Sequence, residues 1–213
     1  MSKFSESVHN LNLKNYKSRV IFIWIKYANQ NIFCNLYIIN LWHKDCPINF
    51  REMKNLILIR HAKSSWEAPL KDIDRPLEQR GIKDAHLVAA NCVKFIPSVF
   101  VILSSSAKRA AETALIFAQT ILYPLESIIY KDELYTFDEN QLEKVIKSSS
   151  NVFENVILFG HNAAITNFVN KFGDIYVDNV PTSGFVSLEF ETDNWEKISK
   201  GKIKKIIFPK KVK

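Results

Sequence analysis

Short apolar runs alternate with longer segments of helical periodicity from about residue 54 to the end of the chain. An almost wholly apolar run is typical of a strand covered on both faces, whereas apolar residues three and four positions apart are typical of an amphipathic helix. The predicted strands lie at residues 55–60, 98–106, 127–131 and 155–162. The predicted helices lie at residues 76–95, 107–122, 138–148 and 163–172.

Two further strands are predicted near the C-terminal end. Residues 184–191 alternate between apolar and polar side chains, as expected of a strand with one buried face, and a final strand follows Trp195. Because strands that alternate with helices form parallel sheets, we predict an α/β fold with a mostly parallel central sheet. Helices should cover both faces of this sheet, and antiparallel strands should be appended at the C-terminal end.

The ends of the helices carry their own signals. Pro76 suits the first turn of helix 76–95, and Asp138 and Asn162 suit the N-cap positions of the helices that follow them. The apolar positions expected on the buried face of helix 76–95 are Ile82, Leu87, Val88 and Val93.

The first 52 residues differ from the rest of the chain. Residues 20–42 are rich in apolar side chains, but their longest clean apolar run, 20–25, is far shorter than the roughly 20 residues that span a bilayer. No stable membrane insertion is expected. We predict an extension over 1–52 and one domain over 53–213. Either Met53 is the natural start and 1–52 is upstream read-through, or the extension associates with a membrane.

The basic net charge of +7 belongs to the two ends of the chain. Residues 1–52 hold seven Lys or Arg against three acids, residues 197–213 hold eight Lys and no acid, and residues 53–196 hold fourteen against nineteen. An acidic centre argues against a nucleic-acid partner, and the Lys-rich end suits a solvated edge strand. The three scattered cysteines form no zinc motif and indicate a reducing, cytoplasmic location.

Polar residues follow three of the predicted strands. Arg60-His61 ends the first strand, Ser104 to Ser106 end the second with Arg109 close behind, and His161 lies at the end of the strand at 155–162. The carboxyl ends of parallel strands lie at one edge of a sheet, so we expect these side chains to face one crevice. Arginines, serine hydroxyls and helix N-termini together favour a phosphate dianion.

Two histidines among arginines also suggest a reaction. Neighbouring positive charge should lower the pKa of an imidazole and keep it neutral near pH 7, and a neutral histidine can attack phosphorus. The arginines would neutralise charge on the phosphoryl oxygens. The sequence has no Gly-rich phosphate loop and no carboxylate cage, so we expect neither a metal nor a cofactor.

The motifs that surround these residues resemble the histidine phosphatase superfamily, which includes the cofactor-dependent phosphoglycerate mutases, and in particular its small SixA-type phosphohistidine phosphatases. The resemblance implies a phosphoglycerate mutase-like fold. The motifs, in chain order, are LILIRHAKSSW (56–66), DRPLEQRG (74–81), SSSAKRAAETA (104–114), ELY (133–135) and FGHN (159–162).

The resemblance also implies roles for individual residues. His61 would be the phosphorylated nucleophile, Arg60, Arg109 and His161 would line the phosphate pocket, and Arg75 would reach the phosphate. Ser104 either binds phosphate or caps the next helix. The chain departs from the mutases in lacking a helical region that supplies an acid.

Glu133 and Asp138 are the nearby candidates for a general acid, and we take Glu133 as the possible one. A site without a dedicated acid can still hydrolyse phosphohistidine, because imidazole is a better leaving group than an alkoxide. The predicted function is therefore a metal-independent phosphatase that acts on protein phosphohistidine. Two alternatives stay open at this point: a broad phosphomonoesterase of small molecules and a non-catalytic phosphate- or phosphoprotein-binding module.

Overall fold

The computed structural model describes residues 53–212, and the predictions for residues 1–52 lie outside this range. The division of the chain into an extension and one domain therefore stays a prediction. Within the described range, no helix has both the length and the apolar character that a membrane crossing requires.

Residues 53–212 form one six-stranded sheet with four α-helices. The strands are β1 (Lys54–Arg60), β2 (Val101–Ser105), β3 (Ile129–Lys131), β4 (Asn155–Gly160), β5 (Phe185–Phe190) and β6 (Lys202–Ile207). The helices are α1 (Gln79–Cys92), α2 (Lys108–Thr120), α3 (Glu139–Lys147) and α4 (Ala164–Phe172).

The sheet has the strand order β3-β2-β4-β1-β5-β6. The four strands from β3 to β1 are mutually parallel, whereas β5 and β6 pair antiparallel. The predicted mixed sheet is confirmed, and so is the assignment of the lysine-rich C-terminal segment to an edge strand.

Both faces of the sheet are buried. Side chains on a strand point alternately to its two faces, so Leu56 and Leu58 of β1 join the core under α3 and α4, and Ile57 and Ile59 join the core under α1 and α2. This explains why β1 reads as a continuous apolar run, and it confirms the prediction of helices on both faces.

The prediction for the start of α1 was wrong. The helix begins at Gln79 and not at Pro76, because Leu77 is held in a short antiparallel bridge to Ser64 and its N–H donates to the Glu112 carboxylate at 2.7 Å. The predicted buried face was also largely wrong. Of its four residues only Val88 is buried, and the face consists mainly of small residues: Gly81, Asp84, Ala85, Val88, Ala89 and Cys92.

One of the two predicted N-caps is confirmed. Asp138 caps α3, and its carboxylate accepts the backbone N–H of Asn140 at 3.0 Å. The prediction for Asn162 was wrong by one residue, because Ala163 occupies the N-cap position of α4. The Asn162 side chain nevertheless accepts the backbone N–H of Thr166 at 3.3 Å.

Candidate active site

The carboxyl ends of β1, β2 and β4 bring the two histidines together. These strands are neighbours and parallel, so His61 after β1 and His161 after β4 leave the same edge of the sheet. The centroids of the two rings lie 5.1 Å apart. The segments that the sequence placed at one crevice therefore meet in the structure.

The two nitrogens of the His61 ring have different partners. Nδ1 lies 2.8 Å from the carbonyl oxygen of Ala62, which can only accept a hydrogen bond, so Nδ1 carries the proton. Nε2 accepts the N–H of Arg109 Nε at 3.3 Å. The backbone here is fixed from α2, because the Ala62 N–H donates to the Thr113 hydroxyl at 2.9 Å. The lone pair of His61 therefore lies on Nε2.

His61 is neutral over the physiological pH range. Burial lowers its pKa to about 4, and the positive charges of Arg109, Arg60 and Arg75 add to this effect, while the hydrogen bond to the Ala62 carbonyl opposes it. Neighbouring positive charge was the predicted cause of the lowered pKa. In the structure the larger cause is burial.

His161 is almost wholly buried, and its pKa is lowered to about 3 by burial and then by the nearby His61 and Arg109. Its Nε2 lies 2.9 Å from the Ser105 hydroxyl. The rings of Tyr135 and Phe137 lie beside it, with centroid distances of 5.3 and 5.5 Å. Ser105 lies in the serine run that was predicted to face the crevice, whereas Tyr135 and Phe137 had no predicted role in the site.

Buried polar atoms without a protein partner cluster at these strand ends. Within the described part of the chain, four buried side-chain atoms accept or donate no hydrogen bond: Arg60 Nε, Ser106 Oγ, His161 Nδ1 and Ser183 Oγ. Arg60 ends β1 and Ser106 follows β2 at this edge. The Ser183 N–H donates to the Arg60 carbonyl at 3.1 Å. Buried groups of this kind are costly unless a ligand or an ordered water satisfies them.

The guanidinium groups of Arg109 and Arg75 meet at a residue that the sequence analysis missed. Asp72 precedes Arg75 in a short 3-10 turn, and its Oδ1 accepts from Arg75 Nη1 at 2.9 Å, while its Oδ2 accepts from Arg109 Nη2 at 2.8 Å. Arg109 Nη1 also donates to the Asp72 carbonyl. The Tyr135 hydroxyl donates to Oδ2 at 2.6 Å.

These donors keep Asp72 ionised. The hydrogen bond from Tyr135, followed by those from Arg109 and Arg75, lowers the pKa of the Asp72 carboxyl to about 2. The same hydrogen bond raises the pKa of Tyr135 above its usual range. The sequence signal for Asp72 was its position three residues before Arg75 in DIDRPL. That signal is also ordinary turn chemistry, which is why it was overlooked.

Arg75 is buried and held on every side. Its Nη2 donates to the Ser64 hydroxyl at 2.7 Å, its Nε donates to the Ser65 carbonyl at 3.0 Å, and its guanidinium lies against the ring of Trp66. Arg75 and Arg109 thus bind the same Asp72 carboxylate. Each guanidinium nitrogen of Arg75 already donates a hydrogen bond within the protein.

Two predicted residues take other positions. The Ser104 hydroxyl donates to the Ser105 carbonyl at 3.0 Å. The serine hydroxyl that lies beside His161 is that of Ser105. Glu133 is exposed in a 3-10 turn and borders a separate hollow with Lys131, Gln141 and Lys144. The structure does not bring Ser104 or Glu133 to the pair of rings.

Comparison with known proteins gives a consistent family. Residues 56–155 match the family model of the histidine phosphatase superfamily, branch 1. Over 63 residues the chain is 46% identical to an uncharacterized chloroplastic protein of Arabidopsis thaliana, a match that covers 28% of each chain. Over 112 residues it is 30% identical to an uncharacterized protein of Mycobacterium leprae, covering 51% of this chain and 66% of that one. The match spans little more than a quarter of the Arabidopsis relative.

Solved structures share the fold at low identity. The protein histidine phosphatase SixA, complexed with tungstate, has a TM-score of 0.64 at 19% identity, covering 75% of this chain and 99% of that one. A protein of Agrobacterium tumefaciens assigned as the phosphohistidine phosphatase SixA has a TM-score of 0.60 at 24% identity, covering 72% and 97%. At these low identities, the structural likeness shows a common fold.

The family model covers the segment from β1 to the start of β4, which contains Arg60, His61, Arg75 and Arg109. His161 lies outside the matched segment, at the far end of β4. Over residues 56–155 the chain is similar to the histidine phosphatase superfamily, and its fold is the one that the SixA structures share.

Proposed function

We propose that this protein is a phosphatase in which His61 takes the phosphoryl group of the substrate and forms a phosphohistidine intermediate. The observation that carries the proposal is the state of the His61 ring: Nδ1 is held by the Ala62 carbonyl, and Nε2 has its lone pair beside the Arg109 guanidinium. A neutral imidazole in this arrangement is a nucleophile for phosphorus. The match of residues 56–155 to the histidine phosphatase superfamily supports the same chemistry.

The reaction has two displacement steps. In the first, the Nε2 lone pair of His61 forms a bond to phosphorus, and the bond from phosphorus to the leaving group breaks with its electron pair on the leaving group. In the second, a water oxygen attacks phosphorus and the bond to Nε2 breaks. The electron pair returns to the ring, the attacking water loses a proton to the solvent, and inorganic phosphate is released. Both steps need donors that stabilise negative charge on the phosphoryl oxygens.

The buried unpartnered atoms support a phosphoryl group as the ligand. Arg60 Nε and the hydroxyls of Ser106 and Ser183 are donors near these strand ends that lack a protein partner, and a phosphoryl oxygen is an acceptor of the kind that such donors need. Arg109 contributes a guanidinium whose side chain is only 3% exposed. Low exposure strengthens its interaction with a dianion, because water screens the charge less.

For the substrate we propose phosphohistidine in a protein. An alkoxide leaving group needs a proton donor, and Asp72, the carboxyl group in contact with Arg109, is ionised because its pKa is about 2. Glu133 borders a different hollow. A departing imidazole needs less help. The exposed ring of Phe137 beside His161 also offers an aromatic surface to an imidazole.

We further propose a cytoplasmic location.

Substitution of His61→Ala tests the mechanism. We expect it to abolish turnover and the acid-labile phosphate that can be trapped on the protein, and to leave part of the affinity for inorganic phosphate. His86→Ala is the matched control, because His86 is exposed on α1 and lies outside the site. Trapping and turnover in the His61 variant equal to those of the parent protein would refute the mechanism.

A substrate series tests the choice of phosphohistidine. The parent protein is assayed with a phosphohistidine peptide, 3-phosphoglycerate and p-nitrophenyl phosphate, with and without chelator. We expect the highest kcat/KM for the peptide. A clear preference for the sugar acid would favour a small-molecule phosphomonoesterase, and binding of all three without turnover would favour a non-catalytic binding module.

A further inference from the structure

Asp72 is a carboxylate placed where an anionic ligand would be expected. One of its oxygens accepts from Arg75 and the other accepts from Arg109 and Tyr135, so a single carboxylate is bonded to two guanidinium groups and a hydroxyl. Arginines in forked contact with an oxyanion are the usual arrangement of a phosphate site. The protein thus holds its own anion at its proposed phosphate pocket.

The contact with Asp72 also affects the reactive nitrogen. Arg109 donates through Nη1 and Nη2 to Asp72, and through Nε to His61 Nε2 at 3.3 Å. The hydrogen bond from Nε covers the lone pair that must attack phosphorus. Attack therefore requires that the Nε–H of Arg109 turn from His61 to an oxygen of the substrate.

Of Asp72 and Arg109, Asp72 is the residue whose side chain can move away from the contact more easily. Its side chain is 43% exposed, whereas that of Arg109 is 3% exposed and rises from the first turn of α2. Asp72 lies in a short 3-10 turn within an otherwise irregular segment. Because its side chain already faces solvent in part, water can solvate the carboxylate once it has left the guanidinium groups.

We propose that Asp72 is a built-in competitor of phosphate: it holds Arg109 over His61 Nε2 in the free protein, and the phosphoryl group of the substrate displaces it. This inference rests on the proposed function of the same site. A dianion carries more charge than the carboxylate and can replace it on Arg109. After hydrolysis the tethered carboxylate competes with inorganic phosphate for Arg109 and so promotes product release.

Substitution of Asp72→Asn provides the test, with equilibrium binding of inorganic phosphate and of tungstate measured by calorimetry. Asparagine keeps the size of the side chain but removes its charge, so the Kd of both oxyanions should fall by about fivefold. Asp74→Asn is the matched control, because Asp74 is an exposed acid of the same turn, and its variant should bind as the parent does. Unchanged or weaker binding in the Asp72 variant would overturn the proposal.

Tyr135→Phe is a second variant that keeps the charge of Asp72. It removes the hydroxyl that holds the carboxylate at 2.6 Å, so it should also tighten phosphate binding, by a smaller factor. If it weakens binding, the proposal fails.

The two proposals can fail separately. A His61→Ala variant that turns over normally refutes the mechanism but leaves the binding result intact. If phosphate can be trapped on the parent protein but the Asp72→Asn variant binds inorganic phosphate as the parent does, only the proposal that Asp72 competes with phosphate is refuted.

Discussion

The two nitrogens of the His61 ring are distinguished by their neighbours, and this distinction decides which of them can react. Nδ1 faces a backbone carbonyl and keeps its proton, whereas Nε2 faces a cation and keeps its lone pair. A carbonyl of the adjacent residue is sufficient for this purpose. At the scale of a residue, the important quantity is therefore the direction of one hydrogen bond.

The buried, neutral histidines predict a pH dependence of stability. Unfolded histidines have a pKa of about 6.5, whereas the folded values are about 4 for His61 and about 3 for His161. Below about pH 6.5 the unfolded chain binds more protons than the folded protein, so the free energy of unfolding should fall as the pH is lowered from about 6.5 to about 4. Urea denaturation at pH 7 and at pH 4.5 measures the change.

The matched control for this effect is a double variant, His61→Asn with His161→Asn. It removes both titrating rings and leaves the carboxylates in place, so its stability should fall less over the same pH interval. An equal fall in the variant and in the parent would show that other groups cause the pH dependence.

At the scale of elements, the site depends on a close approach between α1 and the segment after β1. The backbone N–H of Glu78 donates to the Lys63 carbonyl, and that of Ser65 donates to the Pro76 carbonyl, both at 2.9 Å. The next turn brings Gly81 so near to Lys63 that a Cβ atom at Gly81 would lie 2.1 Å from the Lys63 carbonyl oxygen. A glycine is required here because the backbone of another segment occupies the space of a side chain.

Substitution of Gly81→Ala should therefore destabilise the protein. We expect a loss of about 1–3 kcal/mol in the free energy of unfolding, because the Lys63 segment next to His61 has to move. Lys83→Ala, at an exposed position of the same helix, should leave stability within about 0.5 kcal/mol of the parent. Urea denaturation of both variants is the measurement, and equal stability of the two would contradict the packing argument.

At the scale of the whole molecule, β1 is an internal strand whose partners belong to the described range. It pairs with β4 on one side and β5 on the other, and the Lys54 ammonium donates to the carbonyl oxygens of Asn151 and Phe153 at 2.9 and 3.2 Å. The strand β6 forms one edge of the sheet, and the charge of its lysines discourages pairing with another sheet.

A chain that starts at Met53 should consequently fold by itself. We expect its thermal midpoint to lie within about 2 °C of that of the full chain and the proposed phosphatase activity to be retained. The control is a chain that starts at residue 61, which lacks β1 and should not fold. A large loss of stability in the longer of these two chains would refute the predicted domain boundary.

The local sequence was sufficient for the main elements of the fold. Continuous apolar runs, which are typical of strands covered on both faces, predicted β1 and β4. The polar residues that follow these runs were predicted to meet at one edge of the sheet, because parallel strands end at the same edge. Helix boundaries were less well predicted. Pro76 is a good first-turn residue, but a tertiary contact from Glu112 to the Leu77 backbone keeps that segment extended.

What the sequence determined by itself was the alternation of strands and helices, the mixed sheet, and the chemical types that meet at its edge: histidines, arginines and serines. Only the tertiary structure decided which nitrogen of His61 carries the lone pair, that Ser105 and not Ser104 contacts His161, and that Asp72 joins the two arginines. The physical reason is that hydrophobic periodicity and strand polarity are properties of consecutive residues. Hydrogen-bond direction and charge pairing depend instead on distances between segments that are remote along the chain.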